Sequence, residues 1–233
     1  MNGIQEAVSS ILSTSTSKFK DSMLWHGVFF KAINPTHSDY SHPEHHMTSV
    51  SLPAATANPA PLGLTGFGLT TILLNIHNAG FYELNVMIMG MGVFVGGIAQ
   101  LLAGIMEYKR GNTFGALAFV AYASFWLSLV FIWAMPSAGL PAADPASMGC
   151  YLAIWGVFTF GLFIATLKGK TIGKLVFGSL TVLFGLLALA NFTGSHAIHT
   201  LAGYEGIFCG GFAVYEALAI VINEKYEKQL LPL

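Results

Sequence analysis

Apolar residues occupy six long runs of the chain, and short polar segments separate these runs. A membrane-spanning helix needs about 20 mostly apolar residues. Six stretches approach or exceed this length without a Lys or Arg well inside them, namely residues 61–80, 84–106, 114–135, 149–167, 173–191 and 204–222. The pattern predicts an all-α membrane protein with six transmembrane helices in each subunit.

The composition favours a bilayer as the surroundings of these runs. Hydrophobic residues make up 54% of the chain and charged residues 9%, whereas about 25% of an ordinary soluble domain is charged. The mean hydropathy is +0.64 and the formal net charge is −1. These values exclude a disordered protein, a soluble enzyme with a normal surface and a basic nucleic-acid binder.

The positive charges fall on one side of the predicted topology. Lys and Arg occur in the N-terminal segment, after the second and fourth runs and in the C-terminal tail, but not in the loops after the first, third and fifth runs. Cytoplasmic loops of membrane proteins carry an excess of Lys and Arg. We therefore expect a multi-pass protein of the cytoplasmic membrane with both termini in the cytoplasm.

Three parts are predicted along the chain: a cytoplasmic arm at residues 1–57, a transmembrane domain at 58–223 and a cytoplasmic tail at 224–233. The arm has two apolar clusters, which either form short interfacial helices or pack on a neighbouring subunit. Its His-rich segment, residues 37–46, lacks a second ligand pair at the spacing of a structural metal site. We expect this segment to be a solvated linker that holds no metal.

Short repeated patterns suggest how the helices are arranged. Phe-Gly dipeptides at 67–68, 114–115 and 177–178 lie near the starts of the odd-numbered helices, and the even-numbered helices end at charged turns. This weak repeat predicts three helix hairpins around a central solute path. GxxxG pairs at Gly92 and Gly96 and at Gly206 and Gly210 allow helices to approach closely, either within one subunit or between subunits.

The first predicted helix carries a polar stripe. Thr70, Thr71, Asn75 and Asn78 share one helical face with Phe67. Because hydrocarbon offers no hydrogen-bond partners, this face contacts either protein or a water-filled path. Glu216 is the only acid well inside a predicted run, and it is a candidate for proton movement because intramembrane acids are costly and commonly functional.

Motifs of common enzymes are absent from the sequence. It contains no nucleophile–base pairing, phosphate loop, HExxH motif or Cys/His metal set, so we expect no enzymatic activity and no cofactor. Hydroxyls, amides and one buried acid suit the passage of a small polar solute. Two other classes stay open at this point: a membrane enzyme that uses Glu216 and the His-rich segment, and a structural scaffold.

An ordered series of motifs carries a family resemblance. NPAPLGL at residues 58–64 resembles the signature of the acetate uptake transporter family. The similarity continues through GFGLTTILLN, GGIAQ, EYKRGNTFG, SFWL, WGVFT and TLKG, and it covers about three quarters of the chain. It implies six membrane helices per subunit, a homo-hexamer with a path in each subunit, and transport of acetate, and in many members succinate, across the cytoplasmic membrane.

The resemblance also implies a site. Matching motif to motif places the family's narrow apolar constriction at Phe67, Tyr122 and Leu180. All three lie on odd-numbered helices, so we expect these helices to line the path and the Gly-rich even-numbered helices to pack around it. The candidate donors to a substrate carboxylate, on either side of this constriction, are the Tyr122 hydroxyl and the side chains of Thr70, Thr71, Asn75 and Asn191. The transporter is then an anion channel or a proton-coupled permease for acetate, succinate or other small monocarboxylates. The alternative is a channel for a neutral small solute such as ammonia, urea or undissociated acid.

Overall fold

The computed structural model describes residues 57–233. The predictions for the arm, including its His-rich segment, therefore lie outside the described residues except at Ala57. The described part contains helices and no strands. Its main helices are α1 (Ala60–Asn78), α2 (Val86–Lys109), α3 (Thr113–Ala134), α4 (Pro145–Thr166), α5 (Thr171–Thr193) and α6 (His196–Lys225).

Each predicted apolar run coincides with one of these helices, which confirms the all-α prediction for the described residues. Helices α2 to α6 are long and apolar enough to cross a membrane. Helix α1 carries the polar stripe and is less apolar. Its Thr and Asn residues are buried among the other helices, so the bundle supplies the polar surroundings that lipid would not.

Capping side chains set helix ends that hydropathy alone misplaced. Ser195 caps α6, and Gly194, with φ of 64°, ends α5 just before it. Helix α6 therefore begins at His196 instead of residue 204. This longer helix places Glu205 inside it as well, so the expectation that Glu216 is the only acid well inside a helix was wrong.

A buried carboxylate lies where the sequence predicted a charged turn. Helix α2 continues through Lys109, and Glu107 is only 2% exposed. The Asn112 side chain donates a hydrogen bond of 2.8 Å to Glu107 Oε2 and also caps α3 through the Gly115 amide. Because one side chain binds both groups, the turn between α2 and α3 is fixed around the buried acid.

Glycines allow α1 and α6 to pack closely. A Cβ added to Gly68 would lie 2.7 Å from the Gly210 carbonyl oxygen, and one added to Gly210 would lie 2.7 Å from that of Gly68. A Cβ added to Gly96 would lie 2.7 Å from the Trp126 ring of α3. Both GxxxG pairs therefore serve packing within one subunit.

The helix backbones approach one another in the order α4, α5, α6, α1, α2, α3. Consecutive helices α3 and α4 have few close backbone approaches, and large side chains fill the space between them. The rings of Phe125 and Tyr151 stack at 5.8 Å, and Ser128 Oγ lies 2.7 Å from the Tyr151 hydroxyl. The cavities described below lie inside this arrangement.

Candidate functional site

Two cavities lie towards opposite ends of the bundle. We call them the Glu216 cavity, of about 310 Å³, and the Asn191 cavity, of about 410 Å³. Helix α1 lines both: Leu64 and Phe67 border the Glu216 cavity, and Leu74 and Asn78 border the Asn191 cavity. These residues follow a spacing of three and four, so one face of α1 serves both cavities.

The even-numbered helices line the cavities too. Helix α4 contributes Leu152 to one cavity and Thr166 to the other, and α6 contributes His199 to one and Glu216 to the other. The sequence had suggested that the odd-numbered helices surround the path alone. The structure differs because α1 and α6 pack together through glycines, which brings α6 to the inside.

Phe67, Tyr122 and Leu180 all line the Glu216 cavity. Each is at most 6% exposed, and the Phe67 and Tyr122 ring centroids are 5.7 Å apart. Each of the three comes from a different helix. On that helix it is the last residue that lines the Glu216 cavity before the chain reaches the Asn191 cavity. The structure thus brings the three side chains to the same end of one cavity.

Further aromatic residues surround this point and were missed from the sequence. The Phe177 ring lies 6.2 Å from Tyr122 and also lines the Glu216 cavity. Phe125, which lines the other cavity, packs against Phe184 at 5.2 Å and Trp155 at 5.3 Å. The available signal was the 13% aromatic content, which does not say which rings meet.

The predicted donors lie in different surroundings. Thr70, Thr71 and Asn75 line neither of the two cavities among the described residues. The Thr70 hydroxyl donates to the Gly66 carbonyl at 2.8 Å, and Asn75 Nδ2 donates to the Thr71 carbonyl at 2.9 Å. The Thr71 hydroxyl is buried and has no hydrogen-bond partner within residues 57–233.

Asn191 lines the cavity named after it, and its Nδ2 donates to the Leu187 carbonyl at 2.9 Å. His77 and His199 line the same cavity, and His77 Nδ1 is 2.7 Å from the Tyr82 carbonyl oxygen. The described lining of this cavity contains no Asp or Glu. This cavity therefore offers amide and imidazole groups to an anion, and none of its described lining residues carries a negative charge that would repel the anion.

The Glu216 cavity is mostly apolar but carries several polar groups that the sequence did not assign to a site. They are Gln100, Glu107, Asn112, Thr166 and Lys170. Lys170 is the N-cap residue of α5 and lines the same cavity as Glu216. In the described part of the chain, no three His, Cys, Asp or Glu residues are grouped to hold a metal ion.

The NPAP segment, residues 58–61, connects the start of α1 to a neighbouring turn of the bundle. Asn58 Oδ1 accepts a hydrogen bond of 3.1 Å from the Ala60 amide and one of 2.9 Å from Arg110 Nη1. Pro59 is the N-cap residue of α1, and Pro61 lies in the first turn, where a missing N–H costs nothing. The start of α1 is thus tied to the turn between α2 and α3.

Comparison with known proteins matches most of this chain to transport proteins. The GPR1/FUN34/yaaH family model matches residues 42–230. The succinate-acetate/proton symporter SatP of Escherichia coli K12 is 54% identical over 178 residues, which are 76% of this chain and 95% of that protein. A solved structure described as the bacterial acetate channel SatP superposes with a TM-score of 0.76 and 53% identity, covering 77% of this chain and 99% of that chain.

More distant relatives have other names. Ammonia transport outward protein 2 of Saccharomyces cerevisiae is 40% identical over 70% of this chain, and the match covers 61% of that protein. The resemblance drawn from the sequence motifs is confirmed by the family match and by the bacterial relatives.

Proposed function

The chain belongs to the GPR1/FUN34/yaaH family, and from this premise we propose that it transports acetate across the cytoplasmic membrane. Succinate and other small monocarboxylates are further candidate substrates. The observation that carries the proposal is the pair of cavities, separated by buried side chains, inside a bundle that resembles an acetate channel. Transport needs no bond-making centre, and we propose no enzymatic activity.

The proposed constriction consists of Phe67, Tyr122 and Leu180. Their burial and their common position at one end of the Glu216 cavity support this role. A carboxylate is an anion at neutral pH, and moving it past apolar groups is costly without hydrogen-bond donors. A narrow apolar neck between two wider cavities would thus select small acids, whose methyl end tolerates apolar contact.

The proposed substrate-binding residues lie on one side of this neck, not on both sides as the sequence suggested. Thr70, Thr71 and Asn75 follow Phe67 along α1 in the direction of the Asn191 cavity. Asn191 is supported by its place in the cavity lining. Thr71 is supported by its buried hydroxyl, which no residue in 57–233 satisfies. Thr70 and Asn75 donate to backbone carbonyls of α1, so they would bind substrate only by giving up those bonds. Weak binding of this kind suits conduction, since a solute must also leave each site.

Glu216 is the proposed proton-linked residue. It lines the Glu216 cavity together with Lys170, so part of its side chain borders the space that a substrate would occupy. Proton relays in transporters use such intramembrane acids. An anion channel would move charge with the membrane potential, whereas a proton-coupled permease would respond to the pH gradient. We propose that Glu216 contributes to flux that is driven by the pH gradient.

The assembly and topology follow the family expectation. We propose a homo-hexamer in the bilayer, with a path in each subunit, both termini in the cytoplasm, and the arm, transmembrane domain and tail bounded as the sequence predicts. The tail follows the end of α6 at Lys225 and folds back onto that helix, because the Leu230 and Leu231 amides donate to Asn223 Oδ1 at 2.7 and 2.9 Å.

The second candidate function is passage of a neutral solute such as ammonia, urea or undissociated acid. The name of the yeast relative favours ammonia, although that match covers only 61% of the relative. Labelled-acetate flux into liposomes containing the purified protein, under separately imposed pH and voltage gradients, tests the proposal. Flux above that of protein-free liposomes is expected for acetate, and its absence together with ammonia flux would favour the second candidate.

A further inference from the structure

We propose that the side chain of Gln100 binds the carboxyl group of the transported acid beside the constriction. This inference rests on the proposed carboxylate transport and names a residue that holds the substrate there. Gln100 is 1% exposed and lines the Glu216 cavity. Its amide oxygen is buried and has no hydrogen-bond partner among the residues that the structure describes.

A buried amide oxygen without a hydrogen-bond partner is uncommon in folded proteins. Buried side-chain polar atoms in folded proteins are nearly always hydrogen-bonded to protein or to ordered water. The terminal torsion of a Gln side chain is broad, so an amide whose oxygen is not held by protein turns easily. By turning, Gln100 presents its NH₂ group, which has two donors, to a solute in the cavity.

The backbone places Gln100 next to Phe67. It directly follows the π-helical stretch Met91–Ala99 of α2, and such stretches occur frequently at functional sites. Gly66, which precedes Phe67 on α1, lies against this turn: a Cβ on Gly66 would be 2.7 Å from the Val95 carbonyl oxygen and 3.3 Å from Gln100 Cβ. The close approach therefore joins Gln100 and Phe67 in one wall of the cavity.

The other polar groups that line the Glu216 cavity are already engaged or lie further from the constriction. The Tyr122 hydroxyl is hydrogen-bonded to Thr159. Among the described residues that line this cavity, Lys170 is the only Lys or Arg, and it lies about 15 Å along α5 from Leu180. A carboxylate that reaches the constriction needs hydrogen-bond donors to replace the water it loses. The NH₂ group of Gln100 supplies two such donors.

The test measures how the rate of labelled-acetate uptake depends on acetate concentration in liposomes that contain the full chain. Gln100→Leu keeps the size of the side chain but removes the donors, and we expect it to raise KM at least tenfold. Gln100→Glu keeps the shape and adds a negative charge, so we expect it to lower uptake below that of the Leu variant. Gln100→Asn keeps the amide and should restore part of the affinity.

Thr181→Val is the matched control. Its hydroxyl donates to the Phe177 carbonyl within α5, next to Leu180 along the chain, and Thr181 lines neither cavity. This variant should keep KM within twofold of the parent protein. Thermal melting of each variant in detergent reports separately on folding, and a purely structural Gln100 would change melting without changing KM.

The outcomes separate the inference from the function on which it rests. A parent protein that takes up acetate, with a Leu variant of unchanged KM, overturns the role of Gln100 and leaves acetate transport standing. A parent protein that takes up no small carboxylate overturns the proposed function itself. If the Leu variant does not fold, the comparison of the Glu and Asn variants decides, because equal KM values for these two would overturn the inference.

Discussion

The Tyr122 hydroxyl lies 3.0 Å from Thr159 Oγ1, and this hydrogen bond joins α3 to α4 at the level of Phe67. Thr159 Oγ1 in turn donates to the Trp155 carbonyl at 2.7 Å, so the Tyr122 hydroxyl is left as the donor to Thr159. The bond fixes the Tyr122 ring between its aromatic neighbours. The ring therefore acts as a positioned apolar wall, and its hydroxyl is not free for a solute.

Tyr122→Phe removes this bond and keeps the ring. We expect a loss of stability of about 1 kcal/mol, since that is the usual net value of such a bond, and we expect acetate uptake to change little. Denaturation in detergent and uptake in liposomes measure the two effects. A large loss of uptake with unchanged stability would contradict this reading and would return the hydroxyl to the list of substrate donors.

Widening the constriction should admit larger acids. Phe67→Ala and Leu180→Ala remove side chains that border the Glu216 cavity, so we expect uptake of labelled lactate and benzoate to rise severalfold relative to acetate. The measurement is the uptake rate of lactate, and that of benzoate, each divided by the uptake rate of acetate in the same liposomes.

Leu183→Ala is the control for these two variants. Leu183 is buried to the same extent as Leu180 but lines neither cavity. This substitution should cost about 2–5 kcal/mol of stability, as large-to-small core changes do, without changing the ratio of lactate to acetate. An equal rise in all three variants would mean that loosened packing, not the constriction, sets the size limit.

The close packing of α1 and α6 predicts a strong effect of adding one methyl group. Gly210→Ala places a Cβ 2.7 Å from both the Gly68 carbonyl oxygen and an Ile72 side-chain carbon, so we expect a lower melting temperature and loss of uptake. Gly211→Ala is the adjacent control, because no atom lies within 4 Å of its added Cβ. Similar melting temperatures for the two variants would show that the helices can separate at no cost.

Removing the carboxyl group of Glu216 should affect proton coupling. Glu216→Gln is expected to reduce acetate uptake driven by an inward pH gradient severalfold, while uptake driven by voltage alone persists. Glu205→Gln is the matched control, since Glu205 lies on the same helix but lines neither cavity. If both substitutions, or neither, change the response to pH, Glu216 has no special part in coupling.

Some sequence predictions failed at helix ends for a definable reason. Hydropathy averages over many residues, so it does not register that Ser195 caps a new helix directly after Gly194. It also does not register that Asn112 satisfies the carboxylate of Glu107 inside the bundle. In both cases a single side-chain hydrogen bond sets the local structure. A hydropathy value averaged over many residues does not include the energy of such a bond.

The sequence by itself determined that the chain forms long helices and belongs to this family, because bilayer thickness requires long apolar runs and the motifs appear in a fixed order. Five of the six main helices are apolar enough to cross a membrane, and α1 carries the polar stripe instead. The family resemblance also predicted Phe67, Tyr122 and Leu180 as a group, and the structure places all three in the lining of one cavity. Only the tertiary structure decided that Gln100 lies beside them and that Thr70 and Asn75 donate to backbone carbonyls. Which side chains meet in a cavity depends on how closely the helices approach, and that distance is set by pairs such as Gly68 and Gly210, which lie far apart in the chain.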